Sequence, residues 1–573
     1  MPTAPVDFPP PVDSAKEFVG RPTDPEDERI EVGVVIVGGG PAGLACAIRL
    51  TQLLEDEPEL AESLGEVPVA LVEKGKGPGS HLLSGGMMRP SAMHKLFPDL
   101  PEEEWPTYGT VERDRVYFMT KRRAVPLAPT PPPFRNHGNH MTSVAQLGRF
   151  LSEKAEEAGV YILGETAAAQ LLVEDGMTVG IRTGDKGRGR SGEELGNFEP
   201  GSDLIGRATV LAEGTQGHLS GAAIRHFGIG SGDPMQWELG VKEVWEVPQP
   251  LDRIIHTLGW PLRFGARYRE FGGSWLYPMG EDRVSMGFVA GLDYRDARFS
   301  VHDTLQLFKQ HPMIGKILEG GKRVAWGAKT IPSGGYWAMP ERLSAPGLCI
   351  AGDSAGMVNV PQLKGIHYAM HAGMFAAETI VGALKNGDTR DLAGYEKRVR
   401  GSEIAGDIWR SRNMRQPFAR GFFFGGAVAN AMEISGGRLP GGHWKTHDDA
   451  TVEVFIGKER NYPKPDGKLT FDKLSSVFAT GNATRDDAPN HIRLQEKVPL
   501  ELALMWQNMC PAQVYEVPEE ELEAAREDGK LDGKRKVALA VTPSNCVQCG
   551  AITAKGGRLT PPEGGDGPNY QVT

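Results

Sequence analysis

Three glycines with a fixed spacing are the residues of this sequence best suited to bind a phosphate group. Gly38, Gly40 and Gly43 follow the apolar run Val34–Val37 with the pattern G-x-G-x-x-G, and a helical pattern begins directly after them. Glycines at this spacing allow a tight turn, let the backbone approach a pyrophosphate and let the helix pack closely on the strand. The pattern predicts a dinucleotide site at a helix N-terminus. The alternative is a glycine-rich turn in another kind of α/β unit.

An acidic residue at the end of a second strand supports the dinucleotide interpretation. Glu73 follows the apolar run Val69–Val72, where a carboxylate can bind a ribose hydroxyl. Its distance from Gly43 exceeds the usual spacing of about 20 residues. We attribute the extra length to the acidic, proline-containing connection over residues 54–68.

Two further segments indicate a flavin nucleotide. Gly352 and Asp353 follow a late apolar strand and precede a helix, so the aspartate can bind a ribityl chain and the helix N-terminus can face the isoalloxazine. The alternative role of Asp353 is a helix N-cap. Ser84 and Gly85, in the glycine-rich segment 75–86, are predicted to bring backbone amides to the flavin, although a plain surface loop has the same composition.

Composition restricts the class of protein. The 573 residues are enough for several domains, because single cores rarely exceed about 250–300 residues. The 63 basic and 74 acidic residues give a net charge of −11, which argues against a nucleic-acid partner. Five cysteines are too few for a disulfide framework. Cys46 and Cys349 lie in apolar runs and are predicted to be small core residues.

The sequence carries no segment typical of secretion or membrane spanning. Residues 1–31 are rich in proline and acids, so we predict a disordered arm and neither a secretory signal nor a mitochondrial presequence. No window holds the about 20 apolar residues that a spanning helix needs. We expect a chain that is soluble or attached to a membrane surface in a bacterial cytoplasm. The basic, proline-rich segment 120–133 and the apolar segment Pro417–Met432 are candidates for such attachment. The alternatives are a rigid linker or a partner-facing loop for the first and burial as a core helix for the second.

Long ordered motifs between residues 34 and 570 are similar to one family, the electron-transfer flavoprotein–ubiquinone oxidoreductases. They include EKGKGPGSHLLSGG at 73–86, HGNH at 137–140, AEGTQGHL at 212–219, GVKEVWEV at 240–247, FGGSWLYP at 271–278, NVPQLKGIHYAM at 359–370 and CPAQVYEV at 510–517.

The resemblance implies an α/β (α+β overall) fold: a glutathione-reductase-like FAD domain, an interleaved β-rich quinone-binding domain and a C-terminal ferredoxin-like domain. It implies electron-transfer flavoprotein and membrane quinone (ubiquinone or menaquinone) as partners. It also implies peripheral attachment to the membrane, here the cytoplasmic face of the bacterial inner membrane, and favours an interface role for Pro417–Met432. Gly272 and Gly273 correspond to the quinone head-group contacts; a β-bulge without a ligand is the alternative. The expected domains are 1–31 (arm), 32–214 and 341–460 (FAD), 215–340 (quinone) and 461–573 (ferredoxin-like).

The C-terminal cysteines depart from the family pattern. The resemblance implies a 4Fe–4S cluster on a Cys-Pro cysteine and a C-x-x-C-x-x-C run. Cys510, Cys546 and Cys549 occupy three of these positions, but Ile552 occupies the fourth. Such clusters normally take four thiolates. The alternatives are a cluster with water or a carboxylate (Glu563 or Asp566 being the nearest later acids) on one iron, a three-iron cluster, loss of the cluster, or zinc.

The predicted activity is therefore that of an electron-transferring-flavoprotein dehydrogenase, in which the cofactor carries the chemistry and no acid–base triad is expected. Two alternatives stay open. One is an FAD-dependent reductase or hydroxylase of an isoprenoid or aromatic substrate, although the sequence has no second dinucleotide pattern for a nicotinamide donor. The other is a docking subunit of an electron-transfer complex.

Overall fold

A six-stranded sheet carries the glycine motif. The computed structural model describes residues 2–23, 29–527 and 530–573. In spatial order the strands are Tyr161–Leu163, Val69–Val72, Val34–Val37, Ala208–Leu211, Leu348–Ile350 and Ser344–Ala345. Neighbouring strands are parallel except the last pair. The predicted runs Val34–Val37 and Val69–Val72 are confirmed as strands, and all their residues are buried, as expected for a parallel sheet covered on both faces.

Two long helices pack against each other beside this sheet. Pro41–Glu55 follows the glycine motif, and Ile366–Lys385 begins after Gly365. Gly373 lets the second helix contact the backbone of the first at Ala42, where a Cβ atom would collide. A third helix, Val144–Glu157, begins after Ser143, whose side chain caps it by accepting a hydrogen bond from the amide of Gln146. Cys46 and Cys349 are fully buried in this core, as predicted.

The N-terminal residues belong to a five-stranded sheet, so the prediction of a disordered arm over 1–31 is wrong for the residues described. The strand order is Val19–Gly20, Ala168–Glu174, Met177–Thr183, Asp203–Ile205 and Arg29–Glu31. Phe18 is buried in the same hydrophobic core as the strands Val34–Val37 and Val69–Val72, and the amide and hydroxyl of Thr23 donate to Asp203. These partners lie far along the chain, which local composition cannot reveal. Residues 1 and 24–28 lie outside the described residues.

A seven-stranded sheet forms the second large layer. Its order is Lys322–Pro332, Trp237–Glu246, Arg283–Gly291, Gly272–Pro278, Ile254–Gly259, Asp114–Met119 and Ala124–Pro126. All neighbours are antiparallel except Ile254–Gly259 with Asp114–Met119. The sheet thus extends beyond the expected bounds 215–340 by two strands from earlier in the chain. The domain bounds themselves stay a prediction.

The outer face of the seven-stranded sheet is buried under helices, so the strand Trp237–Glu246 carries a charged residue, Glu243, that is hidden from solvent. Helices Val301–Lys309 and Pro312–Leu318 cover that face. Lys309 Nζ lies 2.8 Å from Glu243 Oε2, with both side chains fully buried, and the indole of Trp245 also donates to Glu243. Three donors around one carboxylate satisfy a charge that could not otherwise be buried.

The C-terminal region packs on the same core. Its helix Leu500–Met509 buries Trp506, whose indole donates to the carbonyl of Lys555 at 2.7 Å. Short strand pairs surround it: Ile492–Arg493 with Arg558–Leu559, Lys497–Pro499 with Lys536–Ala538, Tyr515–Glu516 with Ala540–Val541, and Arg526–Glu527 with Lys530–Leu531. The other α-helices are Ser14–Glu17, Pro58–Ser63, Ser91–Leu96, His218–His226, Gly394–Arg400, Glu403–Arg410, Phe422–Ile434, Lys473–Phe478, Glu519–Ala524 and Ala551–Ala554, and the other strands are Met87–Met88, Thr107–Thr110, His140–Thr142, Lys186–Arg188 and Glu194–Glu199.

Candidate functional site

A cavity of about 530 Å³ is lined by residues of both the six-stranded and the seven-stranded sheet. It brings together most of the residues singled out in the sequence: Gly38, Gly40, Glu73, Ser84, Gly85, Gly272, Gly273, Gly352 and Asp353. Gly43 is outside this lining. A Cβ atom there would collide with the carbonyl oxygen of Gly38, so its part is the close packing of helix on strand.

The glycine motif presents free backbone amides to the cavity. Gly40 is the N-cap of helix Pro41–Glu55 and has no side chain to cap it, which leaves the first amides available to a phosphate. Gly38 has a φ of 109°, a conformation that favours glycine, and a Cβ atom there would collide with Ala212. A Cβ atom at Gly40 would approach Leu82 Cδ2 no closer than 3.6 Å, so the space in front of the helix is open.

Glu73 joins two turns at the cavity wall. Its Oε2 accepts a hydrogen bond from the amide of Gly39 at 2.8 Å, and its Oε1 accepts one from the amide of Gly75 at 2.7 Å. A carboxylate oxygen has two lone-pair sites, so each oxygen keeps one for a further donor. The arrangement fits a ribose hydroxyl.

Asp353 and a second helix N-terminus form the part of the cavity that is predicted to bind the flavin. Burial raises the pKa of Asp353 to about 6, opposed by the positive charge of Lys329. Helix Ile366–Lys385 begins at the cavity wall, and its N-cap Gly365 has no capping side chain. The partial positive charge of that end faces the cavity. A cavity with two uncapped helix N-termini and an acid at each end fits FAD, whose binding by these residues stays a prediction.

The other part of the cavity is flat and apolar. Gly273 pairs with Val289, and Val289 pairs with Gly240, so these three residues share the inner face of the seven-stranded sheet. Two of them have no side chain, which leaves room for a planar ring. Beyond them the cavity continues between apolar side chains, an apolar passage formed by Leu127, Pro131, Phe134, Phe271, Phe418, Phe422 and Ala429.

The apolar passage ends at a helix whose apolar side chains face outward. In helix Phe422–Ile434 only Gly425 and Met432 are buried. Phe423 is 68% exposed and Ile434 is 88% exposed. The alternative of a buried core helix for Pro417–Met432 is therefore wrong. No helix among residues 2–23, 29–527 and 530–573 is both long and apolar enough to cross a bilayer.

The sequence analysis missed several ionisable residues in the cavity wall. Lys364 is 3% exposed, burial lowers its pKa to about 7, and its ammonium group donates to Asn136. His256 Nε2 lies 2.7 Å from the hydroxyl of Tyr277, and burial lowers the pKa of the imidazole to about 3. Glu238 and Arg415 also line this wall. At positions 238 and 364, a charged residue next to apolar residues was the sequence feature that could have indicated a buried charge. Nothing in the sequence distinguished Arg415 from other arginines.

The three C-terminal cysteines line one small cavity. Cys510, Cys546 and Cys549 share it with the side chain of Ile552. The amide of Val514 donates to Cys510 Sγ and that of Gln548 donates to Cys546 Sγ, each at 3.4 Å, and such bonds favour a thiolate. Burial raises the pKa of the Cys549 thiol to about 12, so the unligated thiols are neutral.

The fourth position of this cavity offers no ligand. Ile552 is buried, and the lining residues that the structure describes include no histidine and no carboxylate. Glu563 is bound elsewhere, to Arg485 at 2.9 Å and to the amide of Gly187. Across the described residues, no group of three or more histidine, cysteine or acidic side chains is close enough to hold a metal ion. The donor set does not fit a four-thiolate cluster, and the carboxylate alternative at Glu563 and Asp566 lacks support.

Comparisons with known proteins found two family models that match segments of the chain and relatives that match nearly all of it. A family model described as "ETF-QO, ubiquinone-binding" matches residues 237–331, and one described as "Electron transfer flavoprotein-ubiquinone oxidoreductase, 4Fe-4S" matches residues 467–571. The chain is 36% identical to the electron transfer flavoprotein-ubiquinone oxidoreductase of Pseudomonas aeruginosa, over 95% of this chain and 99% of that protein. It is also 36% identical to the mitochondrial protein of the same name from Caenorhabditis elegans, over 96% and 94%.

A solved structure shows the same fold without close sequence similarity. A geranylgeranyl bacteriochlorophyll reductase-like protein from Thermoplasma acidophilum matches with a TM-score of 0.54 and 17% identity, over 71% of this chain and 96% of that one. The likeness concerns the fold alone.

Proposed function

Because the chain belongs to the electron transfer flavoprotein–ubiquinone oxidoreductase family, we propose that it accepts electrons from reduced electron-transfer flavoprotein and passes them through FAD to a membrane quinone. The observation that carries this proposal is that the nucleotide-binding turns and the Gly272–Gly273 pair open into a single cavity. A quinone ring bound on the glycine pair would then lie in the same space as the flavin, and short distances favour electron transfer.

Residues in the turns that follow strands of the six-stranded sheet bind and orient the cofactor. The uncapped amides after Gly40 hold the pyrophosphate, Glu73 the ribose, and Asp353 the ribityl chain. FAD, when bound, supplies the capacity to store electrons and to release them to the quinone. Lys242 donates to the carbonyl of Ser84 at 2.9 Å and thereby fixes the loop that borders the flavin.

Residues of the seven-stranded sheet bind the quinone. Gly272 and Gly273 expose backbone amide and carbonyl groups to its head group, and the apolar passage takes its hydrophobic tail. The helix Phe422–Ile434 is the proposed contact with the membrane, on the cytoplasmic face of the bacterial inner membrane, because the same helix lines that passage and carries exposed apolar side chains. The quinone could then enter without crossing water.

We assign no electron-transfer step to the three C-terminal cysteines. The family carries a 4Fe–4S domain at these residues, but this chain supplies three thiols where a cubane cluster takes four. The electron path proposed here therefore runs from the soluble donor to FAD and from FAD to the quinone.

The choice of reductant tests the proposal against its alternatives. Purified holoenzyme is mixed anaerobically with reduced electron-transfer flavoprotein, with NADH or with NADPH, and the flavin absorbance is followed. Rapid loss of absorbance with the flavoprotein alone supports the proposal. Loss with a nicotinamide would favour the reductase or hydroxylase alternative, and protein without any flavin spectrum would favour a docking subunit.

A further inference from the structure

Two charged side chains that the proposed electron path does not use lie at the quinone end of the cavity. Glu238 and Arg415 both line it, and each side chain is only 5% exposed. Glu238 lies two residues before Gly240 on the same strand, so both face the cavity. The guanidinium of Arg415 lies 4.2 Å from the centre of the Phe271 ring, and Phe271 directly precedes Gly272. A carboxyl and a guanidinium therefore border the proposed quinone site.

Arg415 is held mainly by a different acid. Its Nη2 donates to Asp293 Oδ1 at 2.6 Å, whereas its Nε lies 3.5 Å from Glu238 Oε1. Glu238 Oε1 has no hydrogen-bond partner among the described residues. Gly291 provides the room for this arrangement, because a Cβ atom there would collide with the guanidinium. Glu238 is thus a buried carboxyl at the cavity wall, and its Oε1 accepts no hydrogen bond although it lies within ion-pair distance of Arg415.

The charges around Glu238 set its protonation. Burial raises the pKa of Glu238 to about 7, Arg415 opposes this rise and Asp293 adds to it. The cluster reaches the surface at His447, whose Nε2 lies 3.5 Å from Asp293 Oδ2 and whose side chain is 27% exposed. The elements packed around Glu238 contribute these charged or titratable side chains: Arg415, Asp293, His447, Asp449, Lys555 and Arg269.

We propose that Glu238 is the proton donor to the quinone in this chain, and that Arg415 stabilises the carboxylate that remains after the proton has left. The proposal depends on the proposed quinone reduction. In that reaction the quinone gains two electrons and two protons, and both carbonyl groups become hydroxyl groups. The electrons come from the reduced flavin. The O–H bond of Glu238 breaks as one quinol O–H bond forms, and water supplies the second proton and reprotonates Glu238 between turnovers.

The experiment compares Glu238→Gln with the unchanged holoenzyme and with Glu246→Gln. Glu246 lies on the same strand, but its side chain is 43% exposed and pairs with Arg283 outside the cavity. Flavin content, flavin reduction by electron-transfer flavoprotein and the rate of quinone reduction are measured between pH 5 and 9. Glu238→Gln is expected to bind FAD and accept electrons normally but to reduce quinone about 10²-fold more slowly at pH 6, a typical loss for a proton donor.

The pH profile separates proton donation from a merely structural role. The unchanged enzyme is expected to reduce quinone more slowly as the pH rises through about 7, because the carboxyl then loses its proton. Glu238→Gln should lose this dependence, Glu246→Gln should keep it, and Glu238→Asp should restore part of the rate. In infrared difference spectra, the band of a protonated carboxyl should disappear in Glu238→Gln alone.

Three results would overturn the proposal. Equal quinone-reduction rates and profiles in Glu238→Gln and the unchanged enzyme would show that another group gives the proton. If the quinone-reduction rate of the unchanged enzyme does not fall above pH 7, a group other than Glu238 gives the proton. This result can be obtained even if Glu238→Gln is unstable. An unchanged enzyme that takes up electrons but reduces no quinone would contradict the proposed function itself, which distinguishes the two failures.

Discussion

The carboxylate of Glu73 lies 2.8 Å from the backbone amide of Gly39, so the acid that ends one strand fixes the glycine-rich turn that follows the neighbouring strand. The other oxygen fixes the amide of Gly75. Glu73 thus holds both turns in place, and the ribose is the ligand that we propose for its remaining acceptor sites.

Glu73→Gln is expected to weaken FAD binding. Hydrogen bonds to a charged group contribute about 1.5–3 kcal/mol each, so loss of the charge should weaken the affinity by about ten- to hundredfold. The flavin retained after dialysis, measured by absorbance, gives the result. Glu66→Gln is the control, because Glu66 is exposed shortly before the same strand begins. Equal retention of flavin in both variants would show that Glu73 does not bind the nucleotide.

Asp353→Asn should change how the stability of the flavin-free protein depends on pH. Asp353 has a pKa of about 6 in the folded chain and an ordinary value of 3.8. The folded state therefore holds this proton more tightly. The stability that results is complete below pH 3.8 and is lost as the pH rises through about 6. Thermal unfolding between pH 4 and 7 should show a smaller loss of stability in Asp353→Asn than in the unchanged chain.

The control for this titration is Asp99→Asn, which replaces an exposed acid. It should keep the pH dependence of the unchanged chain. If Asp353→Asn keeps it as well, Asp353 does not hold a proton in the folded state. With flavin present, Asp353→Asn should also release FAD more readily, because the ribityl contact is weakened.

Gly273→Ala is expected to impair quinone binding. A Cβ atom at this position would lie 2.6 Å from the carbonyl oxygen of Thr257, which forces the strand to shift beside the proposed head-group site. We expect the quinone KM to rise about tenfold or more, with flavin content retained. Gly382→Ala is the control, since a Cβ atom there meets no atom within 4 Å. An unchanged KM at normal flavin content would remove Gly273 from the quinone site.

Replacement of exposed phenylalanines should reduce membrane binding. Phe423 is 68% exposed on helix Phe422–Ile434, and its burial in lipid contributes about 1.5–3 kcal/mol. Phe423→Ser should therefore weaken binding to phospholipid vesicles, measured by sedimentation, by about tenfold or more. Phe478→Ser is the matched control, because Phe478 is 88% exposed in another helix. If only Phe478→Ser weakens binding, the membrane contact lies elsewhere.

Ile552→Cys should restore a four-thiolate donor set. Ile552 lines the same cavity as Cys510, Cys546 and Cys549, so a thiol at this position completes the set. We expect reconstituted Ile552→Cys to bind more iron and sulfide per chain than the unchanged protein, and to give the paramagnetic signal of a reduced 4Fe–4S cluster. Ala554→Cys, at a nearby buried position on the same helix, is the control. A full four-iron signal from the unchanged chain would contradict this account.

The sequence predicted the parts of the site that depend on local backbone chemistry. Val34–Val37, the glycines after it and Glu73 were found because buried parallel strands are continuous apolar runs and phosphate turns need glycine. Gly272 and Gly273 were found only through similarity to a family. Each of these features is recognisable within a few neighbouring residues or one long motif.

The features that the sequence did not reveal depend on partners far along the chain. The strand Val19–Gly20 pairs with Leu171–Leu172, so a segment with the composition of a disordered arm is held by a distant strand. Glu238 and Arg415 are charged residues whose types usually indicate exposure. Their burial follows from Asp293 and from the space above Gly291, which become neighbours only in the folded chain.

The most direct measurement of the central claim is reoxidation of the flavin by quinone. Holoenzyme is reduced anaerobically with electron-transfer flavoprotein, the donor is removed, and a short-chain quinone is added while flavin absorbance is followed. A shared cavity for FAD and quinone predicts rapid and complete recovery of the oxidised flavin absorbance, slowed in Gly273→Ala. Flavin that stays reduced in the presence of excess quinone would contradict the account.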